Sequence, residues 1–291
     1  MLSDFWPYLA ITAGFFSGIT ALLEKRLLKI EHALAYTASI TFIITIFSLM
    51  LLPLANFNIT PLNWLLLYIY SITLTVSFWF TARLFRHGNI SIASPIYKTL
   101  PILFVVILAF LFLGESLSLI QYGFIIILTV SAYLLINESK KVKESNDYRY
   151  NYQILILLDT IAVSIGLIIL KYLLNYITIP SLIIIANVFT SLNLLILIIR
   201  RGPLYLTWFK NDMKAYANNI VLISSLTFFY RILFYLTISS ILVSLAVPIA
   251  NVTTIIITVL IGGAMFKEKN IFKKLLLALI MVISAYFLIV T

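Results

Sequence analysis

Three ionisable residues, Lys98, Asp159 and Arg231, lie inside long apolar stretches of this chain. On insertion scales an ionisable side chain at the centre of a membrane helix costs roughly 2.5–3.5 kcal/mol, so it usually faces a partner or a cavity. An ammonium or a guanidinium can bind phosphate or carboxylate, and a buried carboxyl group can carry a proton. The three residues therefore indicate an anion-binding site, with Asp159 as the candidate proton-coupling residue.

Each of the three residues also has a structural interpretation. Lys98 could pair with Asp159, or it could extend its ammonium to the lipid headgroups. Asp159 could form a salt bridge to Lys98 or Arg231 instead of carrying protons. Arg231 could likewise be present only as the partner of Asp159. The sequence leaves both interpretations open for each residue.

The elements that position these residues are long apolar segments. The chain is 63% hydrophobic and 10% charged, with a mean hydropathy of +1.11, whereas soluble domains are about 45–50% apolar and about 25% charged. About 20 apolar residues cross the hydrocarbon core as a helix, and a helix satisfies its own backbone. We therefore predict an all-α integral membrane protein with ten transmembrane helices. The predicted spans are 5–23, 33–52, 62–82, 91–113, 117–136, 152–170, 180–199, 220–240, 243–266 and 272–290.

The second half of the chain repeats the first. A shift of 153 residues aligns 91–136 with 244–289 without a gap, and places Pro95 over Pro248 and SAYLLI at 131–136 over SAYFLI at 284–289. Because each half has five spans, an odd number, the halves should enter the membrane in opposite orientations as two inverted five-helix repeats. The predicted division is a first repeat at 1–137, a polar linker at 138–151 and a second repeat at 152–291.

The repeat adds polar neighbours to the candidate site. Asn251 occupies the position equivalent to Lys98, and Tyr97 and Tyr230 stand beside Lys98 and Arg231 in the sequence. We predict that these five residues bind the substrate near mid-bilayer, where inverted repeats place their sites. The alternative for Asn251 is a hydrogen bond between helices, which is common for asparagine in membranes.

Prolines and glutamates mark the ends and bends of the predicted helices. The prolines within predicted spans loosen a helix, so we predict them as hinges; they are Pro95, Pro101 and Pro248. Glu115 and Glu268 end spans 4 and 9. They could act at gates, but solvated charge at a helix end is the favoured interpretation.

Basic residues are concentrated on one side of the predicted bundle. Seventeen of the 20 lysines and arginines follow the odd-numbered spans, so the positive-inside rule places these loops in the cytoplasm and both termini outside. This distribution is typical of a membrane protein and not of a nucleic-acid-binding one. Cysteine is absent, and His32 and His87 lie in separate loops. We therefore expect neither a metal site nor a cofactor.

A resemblance to a known family rests on the stretch SIASPIYKTLPILFVVILAFLFLGESLSLIQYG, from Ser91 to Gly123. It resembles the fourth and fifth helices of EamA-type members of the drug/metabolite transporter superfamily, with two prolines six residues apart and Leu-Gly-Glu before a polar turn. The second half repeats it as SLAVPIANVTTIIITVLIGGAMFKEK, and GFFSGITALLEK is similar to the family's opening helix. The Lys-x-x-Pro arrangement at Lys98 resembles that of phosphate-translocator relatives, in which the lysine meets an anionic group.

The resemblance implies ten helices in two repeats and an exporter or exchanger. Substrates in the family include amino acids, sugars, nucleotide-linked or phosphorylated metabolites, and amphipathic compounds. Relatives are generally drawn with both termini in the cytoplasm, the reverse of the orientation that the charges predict here.

These observations favour a secondary transporter in the cell membrane, and not an enzyme. We expect it to carry a small anionic or zwitterionic metabolite by alternating access, with a proton or counter-solute as the driving force. The sequence carries no nucleotide-binding loop that would indicate ATP-driven pumping. The alternatives are a flippase for lipids or amphipathic compounds, and an intramembrane enzyme. No oligomeric state follows from the sequence.

Overall fold

The computed structural model describes residues 5–87, 90–139, 146–265 and 271–290, and within these ranges the chain consists of helices and their connections. The helices are α1 (Trp6–Leu28), α2 (Ala33–Leu49), α3 (Pro61–His87), α4 (Ile90–Leu113), α5 (Leu119–Ser139), α6 (Asn146–Leu173), α7 (Ile179–Arg201), α8 (Pro203–Ala215), α9 (Ala217–Ser240), α10 (Val243–Met265) and α11 (Ile271–Val290), with a short 3-10 helix at Leu52–Leu54. A helix overlaps each of the ten predicted spans.

Six helices in the described part of the chain are long and apolar enough to cross a membrane. They are α1, α3, α6 from Ile154 onward, α7, α9 and α10. Of the remaining helices, α2, α4, α5 and α11 contain apolar runs of 10–17 residues within the described ranges. An all-helical membrane protein is thus confirmed, whereas the count of ten spans stays a prediction. Residues 140–145, inside the predicted linker, lie outside the described residues, and the division into two repeats also stays a prediction.

Helix α8 is not among the predicted elements, because Gly202 and Pro203 indicate only a break between two spans. Gly202 adopts a φ of 100° and ends α7, and Pro203 starts α8 at a position where a missing N–H costs nothing. The 13-residue helix is too short to span a bilayer. It packs on α2 and α7, where Tyr205, Leu206 and Phe209 cover a small apolar cluster.

The helix pairs in the described residues form matched sets. Helix α1 packs on α9 and α10, and α6 packs on α3 and α4 in the corresponding way. Helices α2, α4 and α5 each contact the helix that the 153-residue shift makes equivalent, namely α7, α10 and α11. The centre of the bundle therefore contains helices from both halves of the chain.

Small residues allow α1 and α10 to approach closely. A Cβ atom built at Gly14 would lie 2.4 Å from the carbonyl oxygen of Ala250, and one at Gly18 would lie 2.7 Å from Ile257 Cβ. The hydroxyl of Thr254 also donates a 3.1 Å hydrogen bond to the Gly14 carbonyl. Such close backbone contact is the usual way in which membrane helices associate without a hydrophobic driving force.

A buried carboxylate fastens the start of α10. Glu115, just beyond α4, accepts hydrogen bonds from the backbone N–H groups of Val243 and Ser244, at 2.9 and 3.0 Å, and from the Ser244 hydroxyl. Its side chain is only 6% exposed, so the interpretation of Glu115 as a solvated helix-end charge was wrong. The first N–H groups of a helix have no partner within the helix, and this carboxylate satisfies two of them. Its repeat equivalent, Glu268, lies outside the described residues.

Two lysines fasten helix ends at corresponding places in the two halves. The Lys25 ammonium on α1 donates to the carbonyl of Phe85 near the end of α3. The Lys171 ammonium on α6 donates to the carbonyls of Ile238 and Ile241 at the end of α9, at 2.7 and 2.8 Å. A lysine therefore binds carbonyl groups at the C-terminal ends of both α3 and α9, where carbonyl groups lack helical partners.

Candidate functional site

A cavity of about 170 Å³ lies among α1, α2, α3, α4, α6, α9 and α10. Its lining combines aromatic rings, hydroxyl groups and charged side chains. The polar and aromatic residues that line it are Ser17, Thr20, Glu24, Tyr36, Thr37, Thr41, Tyr70, Thr73, Ser77, Phe78, Thr81, Tyr97, Lys98, Thr227, Tyr230, Arg231, Phe234, Tyr235 and Asn251. All five residues predicted to bind the substrate are in this set, although their role in binding stays a prediction.

Lys98 presents a buried ammonium to two aromatic rings of the cavity. Its Nζ lies 4.9 Å from the ring centroid of Tyr97 and 5.5 Å from that of Tyr230, distances at which the π face attracts a cation. The carboxylates of Glu24 and Asp159 attract it electrostatically. Among the described residues, no carboxylate oxygen lies within 4 Å of the Lys98 ammonium, the distance that defines an ion pair. The ammonium therefore retains capacity to bind an anion.

Arg231 on α9 is held by neutral partners. One N–H of its guanidinium donates to the side-chain oxygen of Asn187 on α7, and its Cζ lies 4.7 Å from the ring centroid of Phe78. Its Nη2 is buried and has no hydrogen-bond partner within the described part of the chain. A buried donor without an acceptor costs about 1–3 kcal/mol, or more for a charged group, so an anion in the cavity would find an unused donor here.

Tyrosine hydroxyls continue the polar wall beside Arg231. The hydroxyls of Tyr70 on α3 and Tyr235 on α9 lie 2.6 Å apart and share a hydrogen bond. The ring of Tyr230 stacks on Phe234 with centroids 5.4 Å apart. These contacts fix the rings at the α9 side of the cavity, where they can pack against an apolar portion of a solute.

Asp159 lies behind the cavity wall. Its side chain is fully buried, and the cavity lining does not include it. The hydroxyl-bearing residues Ser77 and Thr81 lie beside its carboxylate, but neither reaches hydrogen-bond geometry, and both carboxylate oxygens lack a partner among the described residues. No ion pair within 4 Å joins it to Lys98 or Arg231 in that part of the chain. Its role in proton coupling stays a prediction.

Glu24 on α1 is a cavity residue that the sequence reasoning missed. Its carboxylate lines the cavity beside Tyr36 and attracts the Lys98 ammonium electrostatically. Glu24 follows directly after the predicted end of span 1 and precedes Lys25 and Arg26, a position that is typical of a charge flanking a membrane helix. One feature of the sequence could have indicated its role, namely that a single acidic residue lies at the edge of a helix rich in small residues.

The predicted hinge prolines lie in the two central helices that cross at the cavity. Pro95 and Pro101 are inside α4, and Pro248 is inside α10. Pro101 lines the cavity, and its carbonyl accepts a 3.4 Å hydrogen bond from Ser164 on α6. Proline lacks the N–H that would continue the helical ladder, so these are the weakest points of both helices. Their action as hinges stays a prediction.

The cavity thus offers two cationic groups, one accessible carboxylate and several aromatic faces. A small solute with an anionic group can be bound by charge-assisted hydrogen bonds and by ring contacts. The carboxylate of Glu24 can in addition receive a cationic group, as a zwitterion would present.

The sequence was compared with models of known protein families. The sequence model of the EamA-like transporter family matches residues 4–137. This range contains α1 to most of α5, and with them Glu24, Tyr97 and Lys98. No curated protein matches the chain.

Proposed function

Because residues 4–137 match the EamA-like transporter family, a family of membrane transporters of small molecules, we propose that the protein is a secondary carrier. In this proposal it moves a small anionic or zwitterionic metabolite across the cell membrane by alternating access, as an exporter or exchanger. One observation carries the proposal. Lys98 and Arg231, from opposite halves of the chain, line the same buried cavity, and neither has a carboxylate partner within 4 Å among the described residues.

The charge of the cavity supports an anionic or zwitterionic substrate. Two buried cations would be unstable in a low-dielectric site unless a counter-charge accompanies them for much of the time. Glu24 and Asp159 supply part of this counter-charge at a distance, and a bound carboxylate or phosphate would supply the rest. Hydrogen bonds to charged groups contribute about 1.5–3 kcal/mol each, which is enough to select a solute by its charge.

The matched contacts between helices support two related halves that move against each other. The pairing of α1 with α10 corresponds to that of α6 with α4, and the lysine contacts at Phe85 and Ile238 are 153 positions apart. Inverted repeats that meet at a central site are the usual basis of alternating access in secondary transporters. The opposite orientation of the halves is part of the proposal.

The orientation and the driving force complete the proposal. The excess of lysine and arginine after the odd-numbered spans favours cytoplasmic odd-numbered loops and external termini. A proton or counter-solute would drive the cycle, and Asp159 is the candidate proton carrier because it is buried next to the cavity wall.

The experiment is solute uptake and thermal-shift screening with purified protein in liposomes and detergent. The probes are a panel of organic anions, phosphorylated metabolites and amino acids, compared for the wild type, Lys98→Ala and Arg231→Ala. We expect at least one probe to be transported, with at least a tenfold loss in both variants. Lys210→Ala is the matched control, since Lys210 is an exposed cation on α8 outside the cavity.

Three results would count against the proposal. Absence of transport and of binding for every probe would reject the carrier. Transport that is indifferent to both cavity variants would reject the anion site. Movement of a fluorescent phospholipid between leaflets, without uptake of any metabolite, would identify a flippase instead.

A further inference from the structure

A second group of cations lies away from the cavity, at the ends of α3 and α7. Arg83 and Arg86 are in the last part of α3, and Arg201 is in the last turn of α7. All three act electrostatically on His32, which precedes α2. We call Arg83, Arg86 and Arg201 the guanidinium cluster.

An aromatic ring contacts two of the three members of this cluster. The Cζ atoms of Arg83 and Arg201 lie 4.4 and 5.8 Å from the ring centroid of Trp79, so two guanidinium groups share one indole. His32 stacks on Trp208 of α8 with centroids 4.6 Å apart and an interplanar angle of 19°. Burial of the ring, followed by the fields of the three arginines, lowers the pKa of His32 from 6.5 to about 4. His32 is therefore neutral at pH 7 and adds no charge of its own.

The guanidinium groups of the cluster have no anionic partner among the described residues. No carboxylate lies within 4 Å of the three guanidinium groups in the part of the chain that the structure describes. The indole N–H of Trp79, whose ring both Arg83 and Arg201 contact, is buried and has no acceptor among these residues. Close like charges repel, and an unpaired buried donor costs free energy, so an anion with several oxygens would relieve both penalties.

We propose that the guanidinium cluster, with the indole N–H of Trp79, binds a phosphate group at the membrane surface. Guanidinium groups bind phosphate through paired hydrogen bonds in a fixed planar geometry, and an indole N–H can donate a further one. The cluster lies at the ends of two apolar helices, and Trp79 and Trp208 lie beside it. Tryptophan is typical of the membrane–water interface, where the phospholipid headgroups are. The phosphate belongs either to an anionic phospholipid or to a soluble phosphate ester. This site is separate from the cavity and does not depend on the proposed transport function.

The test uses the full chain purified in detergent. Its probes are dioleoylphosphatidylglycerol as the anionic lipid, dioleoylphosphatidylcholine as the zwitterionic lipid, and glycerol 3-phosphate as the soluble ester. Bound lipid is counted by native mass spectrometry, and binding of the ester is measured by calorimetry. We expect binding of phosphatidylglycerol, glycerol 3-phosphate or both, weakened at least tenfold in the double variant Arg83→Gln, Arg201→Gln.

Controls separate the site from general surface charge. The double variant Arg26→Gln, Arg200→Gln removes two exposed arginines at the same end of the molecule and should change binding less than twofold. Trp79→Phe keeps a ring but removes the N–H, and should weaken binding about threefold even if the double arginine variant fails to fold.

The outcomes distinguish the two sources of phosphate. Binding of phosphatidylglycerol but not of glycerol 3-phosphate assigns the site to lipid, and the reverse assigns it to a soluble ester. The proposal is overturned if neither probe binds. It is also overturned if the control double variant weakens binding as much as the cluster double variant does. A third contrary result is that only phosphatidylcholine binds, and that it binds equally to the wild type and the variants.

Discussion

The side-chain amide of Asn251 donates a 2.7 Å hydrogen bond to the backbone carbonyl of Lys98, which lies 153 positions earlier in the chain. This separation equals the offset of the internal repeat, so the bond joins two equivalent positions, one on α10 and one on α4. Both residues line the cavity. The two central helices therefore touch at the place where the repeat predicted a shared site.

Replacing Asn251 with alanine should affect both stability and transport. Polar contacts between membrane helices contribute about 0.6–1.7 kcal/mol, so we expect a free energy of unfolding lower by about that amount. Uptake of the transported probe should fall at the same time, because Asn251 fixes the backbone next to the Lys98 ammonium. Unfolding in detergent and uptake into liposomes measure the two effects. Asn193→Ala is the control, since its amide bonds Ser71 and Thr75 away from the cavity lining. Equal loss of uptake in both variants would contradict the role of Asn251.

Adding a single methyl group at Gly14 should separate α1 from α10. The new Cβ would lie 2.4 Å from the Ala250 carbonyl oxygen and 2.6 Å from Thr253 Cβ, far inside van der Waals contact. We expect Gly14→Ala to lower the free energy of unfolding by about 1–3 kcal/mol. Gly123→Ala on α5 is the matched control, because a Cβ added there would meet no atom within 4 Å. That variant should be neutral or stabilising by about 0.5–1 kcal/mol. Similar unfolding curves for the two variants would show that α1 and α10 are not tightly packed.

Neutralising Glu115 should loosen the start of α10. Glu115→Gln keeps the shape but weakens charge-assisted bonds to Val243 and Ser244, and loss of a cap typically costs about 1 kcal/mol. The chain has no cysteine, so Ser77→Cys introduces a single thiol into the cavity wall. We expect this thiol to react faster with a membrane-impermeant maleimide in the Glu115→Gln background.

A second cap provides the control for Glu115. Ser118→Ala removes the bond from the Gln121 N–H to the Ser118 hydroxyl at the start of α5, and leaves α10 untouched. It should lower stability without changing the reactivity of the cavity thiol. If both variants raise the reactivity equally, the Glu115 cap has no specific effect on access to the cavity thiol.

Asp212 on α8 should make stability depend on pH. Burial, followed by the adjacent Glu31, raises the pKa of Asp212 from 3.8 to about 9. Between these values the folded chain holds a proton that the unfolded chain releases, so the contribution of Asp212 to stability falls as the pH rises toward 9. His32, with its lowered pKa, acts in the opposite direction, but only below pH about 6.5. Melting temperatures of the wild type and of Asp212→Asn are therefore compared at pH 7 and pH 9, above the range in which His32 contributes. We expect a fall across this range that is smaller in Asp212→Asn, and an unchanged fall would reject the assignment.

The sequence predicted the membrane fold and some of the residues that line the cavity because both depend on strong local signals. Long apolar runs define helices, and a lysine or arginine inside such a run needs a polar surrounding. Lys98 and Arg231 line the cavity, as does Asn251, whose position followed from the repeat. The family resemblance is confirmed for residues 4–137.

The partners of these residues could not be predicted, because they depend on tertiary contacts. Arg231 bonds Asn187 on α7, and nothing in the sequence distinguishes Asn187 from other polar residues of the helices. Glu115 had the appearance of a solvated charge, since its burial depends on α10, more than 120 residues later. Helix α8 was missed because a 13-residue amphipathic helix lacks the apolar length that identified the others.

The contacts of Lys25 and Lys171 have an energetic consequence for the transport cycle that we propose. Each half holds the end of one helix by the same type of lysine-to-carbonyl bond, at Phe85 and at Ile238. Both contacts are formed in this structure, so a state that breaks either one loses the same type of bond, and on this account neither of the two states is strongly preferred. A difference of about 1.4 kcal/mol already shifts the ratio of two states tenfold. A weakly bound solute would therefore be sufficient to reverse the balance.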